Sequence, residues 1–334
     1  MSELRQDPLT RDWVIINPER AKRPEDTTTQ PSLCPFCPGN EHLTPQPTDC
    51  FMDGEGWSVR AVPNKFPALD LQQPLTAITE EVSSGWRRLA GYGYHEVIVE
   101  TPDHRQSLAT LPQAQVQKVV EMYLRRYRAL AAADGAVRQV VVFRNHGRRA
   151  GTSLTHPHSQ IVATPVVSPE TRWRLSEEIE FFDATGSCGL CRIVEKELQA
   201  GVRVVESSDG FVSLAPYASR VPYHIQIIPR RHCSTFLEIE AAEIRPLAVA
   251  LSHALGALHR LLNDPDYNLV LVTPPLDQVH RLASHWFIDV IPRLTIPAGF
   301  ELGSRIVVNT RTPEQAAAEL RTGLAEGPKQ RVGG

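Results

Sequence analysis

The run His156-Pro157-His158-Ser159-Gln160 sets two imidazoles and a side-chain amide at alternate positions of a β-prone segment, and two CxxC pairs, Cys34 with Cys37 and Cys188 with Cys191, lie before and after it. Residues two apart on a strand share a face, so His156, His158 and Gln160 point the same way. A neutral imidazole carries a nucleophilic lone pair near pH 7, whereas a serine hydroxyl needs a base to take its proton. That makes His158 the candidate nucleophile toward phosphorus. Gln160 is then the candidate donor to the nonbridging oxygens, where charge grows during attack. The segment just upstream, Asn145 to Ser153, is rich in glycine, arginine and hydroxyls. Such a composition fits a phosphate cradle, and it also fits an ordinary solvated loop.

The cysteines point to metal. In a reducing compartment CxxC pairs are usually metal ligands or redox centres and not structural disulfides. Each half of the chain joins one pair to a histidine ending a strand and another opening a later strand. This gives Cys34, Cys37, His104 and His156 for a first site and Cys188, Cys191, His232 and His285 for a second. Cys2His2 sets drawn from separate elements suit tetrahedral structural zinc with no position left open for chemistry. The competing reading is a redox dithiol, but the Cys34-Pro-Phe-Cys37-Pro-Gly segment reads as a knuckle and not as the start of a βαβ unit. Fifty-two residues separate His104 from His156, and fifty-three separate His232 from His285. With the matching CxxC pairs, that agreement indicates an internal duplication. The choice of His232 and His285 leans on the repeat. Where the first half has His158, the second has Phe287, so one half keeps the ligand and lacks the nucleophile.

The elements that must position these groups follow from hydrophobic period. Strands are expected at Trp13 to Ile16, Gly91 to Glu100, Val137 to Phe143 and His156 to Ala163. A helix opened by Pro112 keeps Val116, Val119, Val120, Tyr123, Tyr127 and Leu130 on one face. Ser168-Pro169 caps a helix expected to bridge the halves through Trp173, Leu175, Ile179 and Phe182. The second half repeats the order with strands at Tyr223 to Ile228, Asn268 to Val272 and His285 to Ile291, and ends in a helix from Pro313 to about Ala325, capped by Thr312 and closed by Gly327. The expected fold is α+β: two fused units, each an antiparallel sheet with packed helices, 1–185 catalytic and 186–334 without the nucleophile. A length of 334 residues supports two domains. A net charge of −3 and 7% aromatic residues argue against a nucleic-acid-binding zinc ribbon. The lack of an apolar span or signal-like start leads us to expect a cytoplasmic protein without membrane contact.

The chain resembles the galactose-1-phosphate uridylyltransferase family of the histidine triad superfamily over nearly its whole length. The resemblance is carried by Arg20-Ala-Lys-Arg-Pro24, the CPFC knuckle, Val62-Pro-Asn-Lys-Phe-Pro-Ala68, Thr101-Pro-Asp-His104, Asn145 to Gln160, His285-Trp-Phe287 and Gly299-Phe-Glu-Leu302. It implies two histidine-triad-like units and a ping-pong reaction. In that reaction His158 takes a uridylyl group from UDP-glucose, releases glucose 1-phosphate and delivers UMP to galactose 1-phosphate, with Gln160 on the phosphate. By motif position it implies nucleotide and phosphate contacts at Arg20, Arg23, Asn64, Asn145 and Ser153, hexose contacts at Phe300 and Glu301, and a homodimer with shared sites. The chain departs from the family pattern at Thr152-Ser-Leu-Thr155, where many members have a cysteine or asparagine-proline. It also lacks an obvious match to their hexose-binding glutamine. The second complete CxxC and the segment after Glu301 resemble the ADP-glucose phosphorylase branch, where adenylate replaces uridylate and phosphate is an acceptor.

Overall fold

The computed structural model describes residues 2–22, 34–71, 79–81, 86–208, 210–277 and 279–325. Arg23 and Gly327 lie outside these residues. Strands β1 (Glu3–Gln6), β2 (Trp13–Ile16), β5 (Thr79–Glu81) and β6 (Trp86–Ala90) form a small sheet in the order β2-β1-β6-β5.

The main sheet has ten strands: β3 (Asp49–Asp53), β4 (Gly56–Pro63), β7 (Tyr94–Val99), β8 (Gln139–His146), β9 (His158–Thr164), β10 (Val204–Ser207), β11 (Phe211–Leu214), β12 (Ile225–Pro229), β13 (Tyr267–Val272) and β14 (Phe287–Pro292). Their order is β10-β11-β12-β14-β13-β8-β9-β7-β4-β3, antiparallel at every pairing. Read outward from the β13–β8 pair, the two sides match strand for strand, which is the duplication made visible. The units therefore share one sheet, joined edge to edge, and that join removes two edge strands that would otherwise invite aggregation.

Helices cover one face. α1 (Gln113–Ala131) buries Val116, Val119, Val120, Tyr123, Tyr127 and Leu130, the stripe that its 3.6-residue period marks out. Its counterpart α4 (Ala241–Leu262) buries ten residues, and α6 (Pro313–Ala325) packs on it. α1, α4 and the sheet share one continuous core. Each large apolar side chain buried there contributes roughly 1.5–3 kcal/mol, so this layer, and not the loops, fixes the frame.

Two expectations need correction. The strand expected to open at His156 starts at His158, and the one expected at His285 starts at Phe287. Pro157 has no N–H to give the ladder, and both histidines turn instead toward the cysteines. The second correction concerns α2 (Pro169–Thr185): capped by Ser168 as expected, it reaches both halves, but through Thr171, which accepts from Gln139, and Arg174 over Phe287, and not through Trp173, which is 61% exposed. The remaining helices are α3 (Gly189–Ala200) and the short α5 (Gly299–Ser304).

Candidate active site

β9 runs between β7 and β8, with Val99 opposite His158 and Val97 and Phe143 opposite Gln160. On the face away from α1, an apolar floor of Phe36, Val62, Val97 and Val99 lies under the catalytic residues. His158 is buried, and its Nδ1 lies 2.8 Å from the backbone oxygen of His156. A carbonyl can only accept, so Nδ1 carries the proton and the lone pair of the neutral ring sits on Nε2. The same contact favours the positive charge that the ring gains when Nε2 bonds to phosphorus. The Phe36 ring packs 5.4 Å from the imidazole and restricts its rotation.

Gln160 Oε1 lies 2.9 Å from His95 Nε2 and 3.5 Å from Asn64 Nδ2. Asn64 follows β4, and its backbone N–H donates to His95 O at 2.8 Å. Asn145 lies on β8 two residues beyond Phe143, so it stands on the same face as Gln160. Asn268 in β13 fixes it: the Asn268 amide donates to Ala150 O and to Asn145 Oδ1, both at 2.9 Å. The Asn145 N–H donors are thereby left for the other side. The loop that follows turns at Gly147 with φ of +82°, where a Cβ would sit 1.9 Å from the Asp266 carboxylate. Asp266 accepts the Arg149 amide, and the amides of 150–152 bond within the loop. The backbone amides of 150–152 are thus already used within the loop, while the Asn145 side chain keeps its donors.

Beneath the strand, on the α1 side, a buried ion pair holds the register. Arg144 Nε contacts both Glu100 oxygens at 3.0 and 3.1 Å. Ser159 donates to Glu100 and Tyr123 donates to Ser159, each at 2.5 Å, and Arg144 also reaches the Tyr267 hydroxyl of the second half at 2.8 Å.

The first ligand set converges. Cys34, Cys37, His104 and His156 present atoms all within 4.8 Å of one another. His104 and His156 Nδ1 lie 3.3 Å apart and 3.3 and 3.6 Å from Cys37 Sγ. Tetrahedral zinc with its usual N and S bond lengths needs edges of roughly 3.3–3.8 Å, so these donors fit it. The outward nitrogens are held by Thr155 Oγ1 and Thr101 O, which aims both Nδ1 lone pairs inward. Burial holds the His156 imidazole down to about 4 and pushes the Cys37 thiol up to about 11. An ion there would bind a neutral imidazole and displace thiol protons. Arg60 and Asn40 bond the Pro35 and Cys34 carbonyls and fasten the knuckle to the sheet. The second set, Cys188, Cys191, His232 and His285, converges in the same way, with 3.3 and 3.4 Å from Cys191 Sγ to the two Nδ1 atoms. Both clusters can hold a metal ion.

The family model described as "Galactose-1-phosphate uridyl transferase, N-terminal domain" matches residues 1–168, and one described as a domain of unknown function matches 93–332. The ADP-glucose phosphorylase of Arabidopsis thaliana is 34% identical over 330 residues, covering 96% of this chain and 92% of its own. The galactose-1-phosphate uridylyltransferase of Thermotoga maritima is 30% identical over 333 residues, covering 96% and 98%. This chain belongs to the galactose-1-phosphate uridylyltransferase family. A crystal structure of the Arabidopsis ADP-glucose phosphorylase with bound ADP-glucose superposes with a TM-score of 0.78 at 33% identity, covering 96% of this chain and 98% of that one. Family membership makes the chain a nucleotidyltransferase of histidine-triad-like fold.

Not every residue matched to the family motifs comes to the nucleophile. His158, Gln160 and Asn64 are together, and Asn145 is on their face. Arg20 lies in a helical turn at Pro18–Lys22. Phe300 and Glu301 lie on the exposed α5, where the Glu301 carboxylate accepts the Ala298 amide and Phe300 is 59% exposed. His95, Glu100, Arg144, Asp266 and Asn268 escaped the sequence reading. A single polar residue in an apolar strand carries no periodic signal, and its partner is known only once the strands are paired. In the second half the uridylyltransferase-family nucleophile position is closed. Arg174 of α2 lies 5.0 Å over the Phe287 ring. Nearby, Thr171, Arg174, Glu178 and His285 line a gap of about 10 Å³, room for one water at most.

Proposed function

We propose that the chain transfers a nucleotidyl group from a nucleotide sugar through a covalent bond to His158, in the first place as a UDP-glucose:hexose-1-phosphate uridylyltransferase acting on galactose 1-phosphate. The observation that carries this is the His158 ring itself, with Nδ1–H on the His156 carbonyl and the lone pair therefore on Nε2. That lone pair attacks the α-phosphorus. The P–N bond forms as the bond to the sugar 1-phosphate oxygen breaks, and no proton need leave the ring. The acceptor's phosphate oxygen then attacks the same phosphorus, and the electrons of the P–N bond return to Nε2. Gln160, Asn64, Asn145 and Ser153 donate to the phosphoryl oxygens, with Arg20 and Arg23 toward the nucleotide. The two Cys2His2 clusters would hold zinc, which would supply folding stability and stay outside the reacting atoms. In this reading residues 1–185 form the catalytic unit and 186–334 the unit without the nucleophile.

A second reading, ADP-glucose phosphorolysis by the same histidine, is favoured by the identity to the Arabidopsis enzyme and by the complete second Cys2His2 set. Mixing the protein with UDP-glucose or ADP-glucose and weighing it intact separates the two. A uridylyl adduct mapped to His158 supports the first, an adenylyl adduct the second, and no adduct with either removes both. We further propose a cytoplasmic homodimer in which Phe300 and Glu301 reach a partner's site. Support comes from the run Ile296, Phe300, Leu302, Ile306 and Val308, all more than half exposed and apolar beyond what a lone subunit would leave in water. In the described residues no helix is long and apolar enough to cross a membrane.

A further inference from the structure

His95 stands on β7 two residues before Val97, on the face that carries Gln160, and is 6% exposed. Its hydrogen bonds fix their own directions. The Ala68 backbone N–H lies 2.9 Å from Nδ1 and can only donate, so Nδ1 is an acceptor and the neutral ring carries its proton on Nε2. Nε2–H then donates across 2.9 Å to Gln160, which makes the atom there the amide oxygen. The Phe66 amide donates to Asn64 Oδ1 at 2.9 Å, so Asn64 turns its NH2 toward this pair, 3.1 Å from His95 Nε2 and 3.5 Å from the Gln160 oxygen. With its oxygen held by His95 Nε2–H, the Gln160 amide keeps both N–H groups for the phosphoryl group on His158. Flipped, it would set a carbonyl oxygen against that anion.

The second half repeats this device without the chemistry. His224 lies 129 residues after His95 and Asp289 lies 129 after Gln160. The Arg220 amide donates to His224 Nδ1 at 3.4 Å, and His224 Nε2 lies 2.6 Å from Asp289 Oδ1. A carboxylate has no N–H to offer a phosphate, so only in the first half does the clamp hold something with donors.

We propose that His95 is a positioning residue for nucleotidyl transfer: it locks the Gln160 amide with its donors toward phosphorus and ties that orientation to the 64–68 loop. This rests on the reading of His158 as nucleophile. The test is a double-mutant cycle of His95→Ala with Gln160→Ala. It follows the rate of nucleotidyl-His158 formation by rapid quench with whichever of UDP-glucose or ADP-glucose labels the wild type. Loss of one oriented oxyanion donor costs about 10²–10³-fold, so His95→Ala should lower that rate by at least about tenfold, chiefly in kcat and less in KM. In the Gln160→Ala background it should change the rate by less than about twofold. His95→Gln, whose amide nitrogen can reach the Nε2 position, should recover most of the rate, whereas His95→Asn, which keeps only the Nδ1-side acceptor, should not. Equal losses in both backgrounds, or rescue by asparagine and not glutamine, would show that the ring merely supports the loop and overturn the proposal. A wild type that labels with neither donor would overturn the nucleophile reading and this inference with it.

Discussion

His158 differs from His156 by two positions and by what its Nδ1 faces: a carbonyl oxygen in one case, a thiol and a second imidazole in the other. Replacing it should therefore remove chemistry and leave the fold. His158→Ala should lower turnover by at least about 10⁴-fold, with metal content and melting temperature close to wild type; a variant that still transfers would end the covalent mechanism. The two Cys/His clusters and the placing of His158 beside Gln160 were legible because CxxC and HxHxQ are local patterns with a spacing rule. Asp264 was not, since it acts only in three dimensions. It accepts from His146 at 2.9 Å and from His259 at 3.1 Å, next to the loop after Asn145. The hydrogen bond from His146 leads in holding its carboxyl down to about 2, below the ordinary 3.8. A carboxyl whose folded value is depressed contributes stability that is complete above about pH 4 and lost as the pH falls through 2. Melting curves across pH 5 to 2 should show that decline in the wild type and less of it in Asp264→Asn. The effect should be modest, because the side chain is half exposed and solvent screens it.

At the scale of elements, a strand is accurate only if its neighbours hold its register, and β9 is pinned from both faces. Below it, Arg144 and Glu100 are almost fully buried, so removing one leaves a charge without a partner. Arg144→Met should cost about 3–5 kcal/mol, while the double change of Arg144→Met with Glu100→Leu should recover much of that; urea unfolding of the three variants measures it. Above it, the knuckle is tied through Cys34, Cys37, His104 and His156. Purified protein should carry close to two zinc ions, and Cys34→Ser should lower both melting temperature and activity; one ion per chain would remove the second zinc site. The α1 stripe and strands β2, β7, β8, β9, β12, β13 and β14 were readable from period, whereas β1, β3 to β6, β10 and β11 were not expected. Where the reading slipped, tertiary demands had overridden it. The turn of His156 toward Cys37, with Pro157, delays the strand start to His158, and α2 bridges the halves through Thr171 and Arg174 with none of its residues buried.

Over the whole molecule, duplication followed by loss has left two halves with different work and one sheet. The sequence announced the repeat through its histidine spacing, yet nothing local could show that β8 and β13 pair, since a strand edge does not name its partner. That pairing sets Asn268 opposite Asn145, and with Asp266 it lets the second half shape the loop after Asn145. Both residues lie outside the catalytic unit as read from sequence. Asn268→Ala leaves the Asn145 amide free to flip and the Ala150 carbonyl without its donor, so it should lower kcat by up to about 100-fold, the lower end of the cost of losing one donor outright, without loss of metal from the first cluster. A stronger form of the same argument divides the chain. Residues 1–185 made alone would expose the β8 edge and lose Tyr267, Asp266 and Asn268 from behind the site, so they should aggregate or fail to label at His158. Made together with 186–334, they should copurify as a pair and regain nucleotidyl transfer. Full activity in the isolated first half would mean that the second half contributes nothing to the loop, and the shared sheet would then be only an accident of fusion.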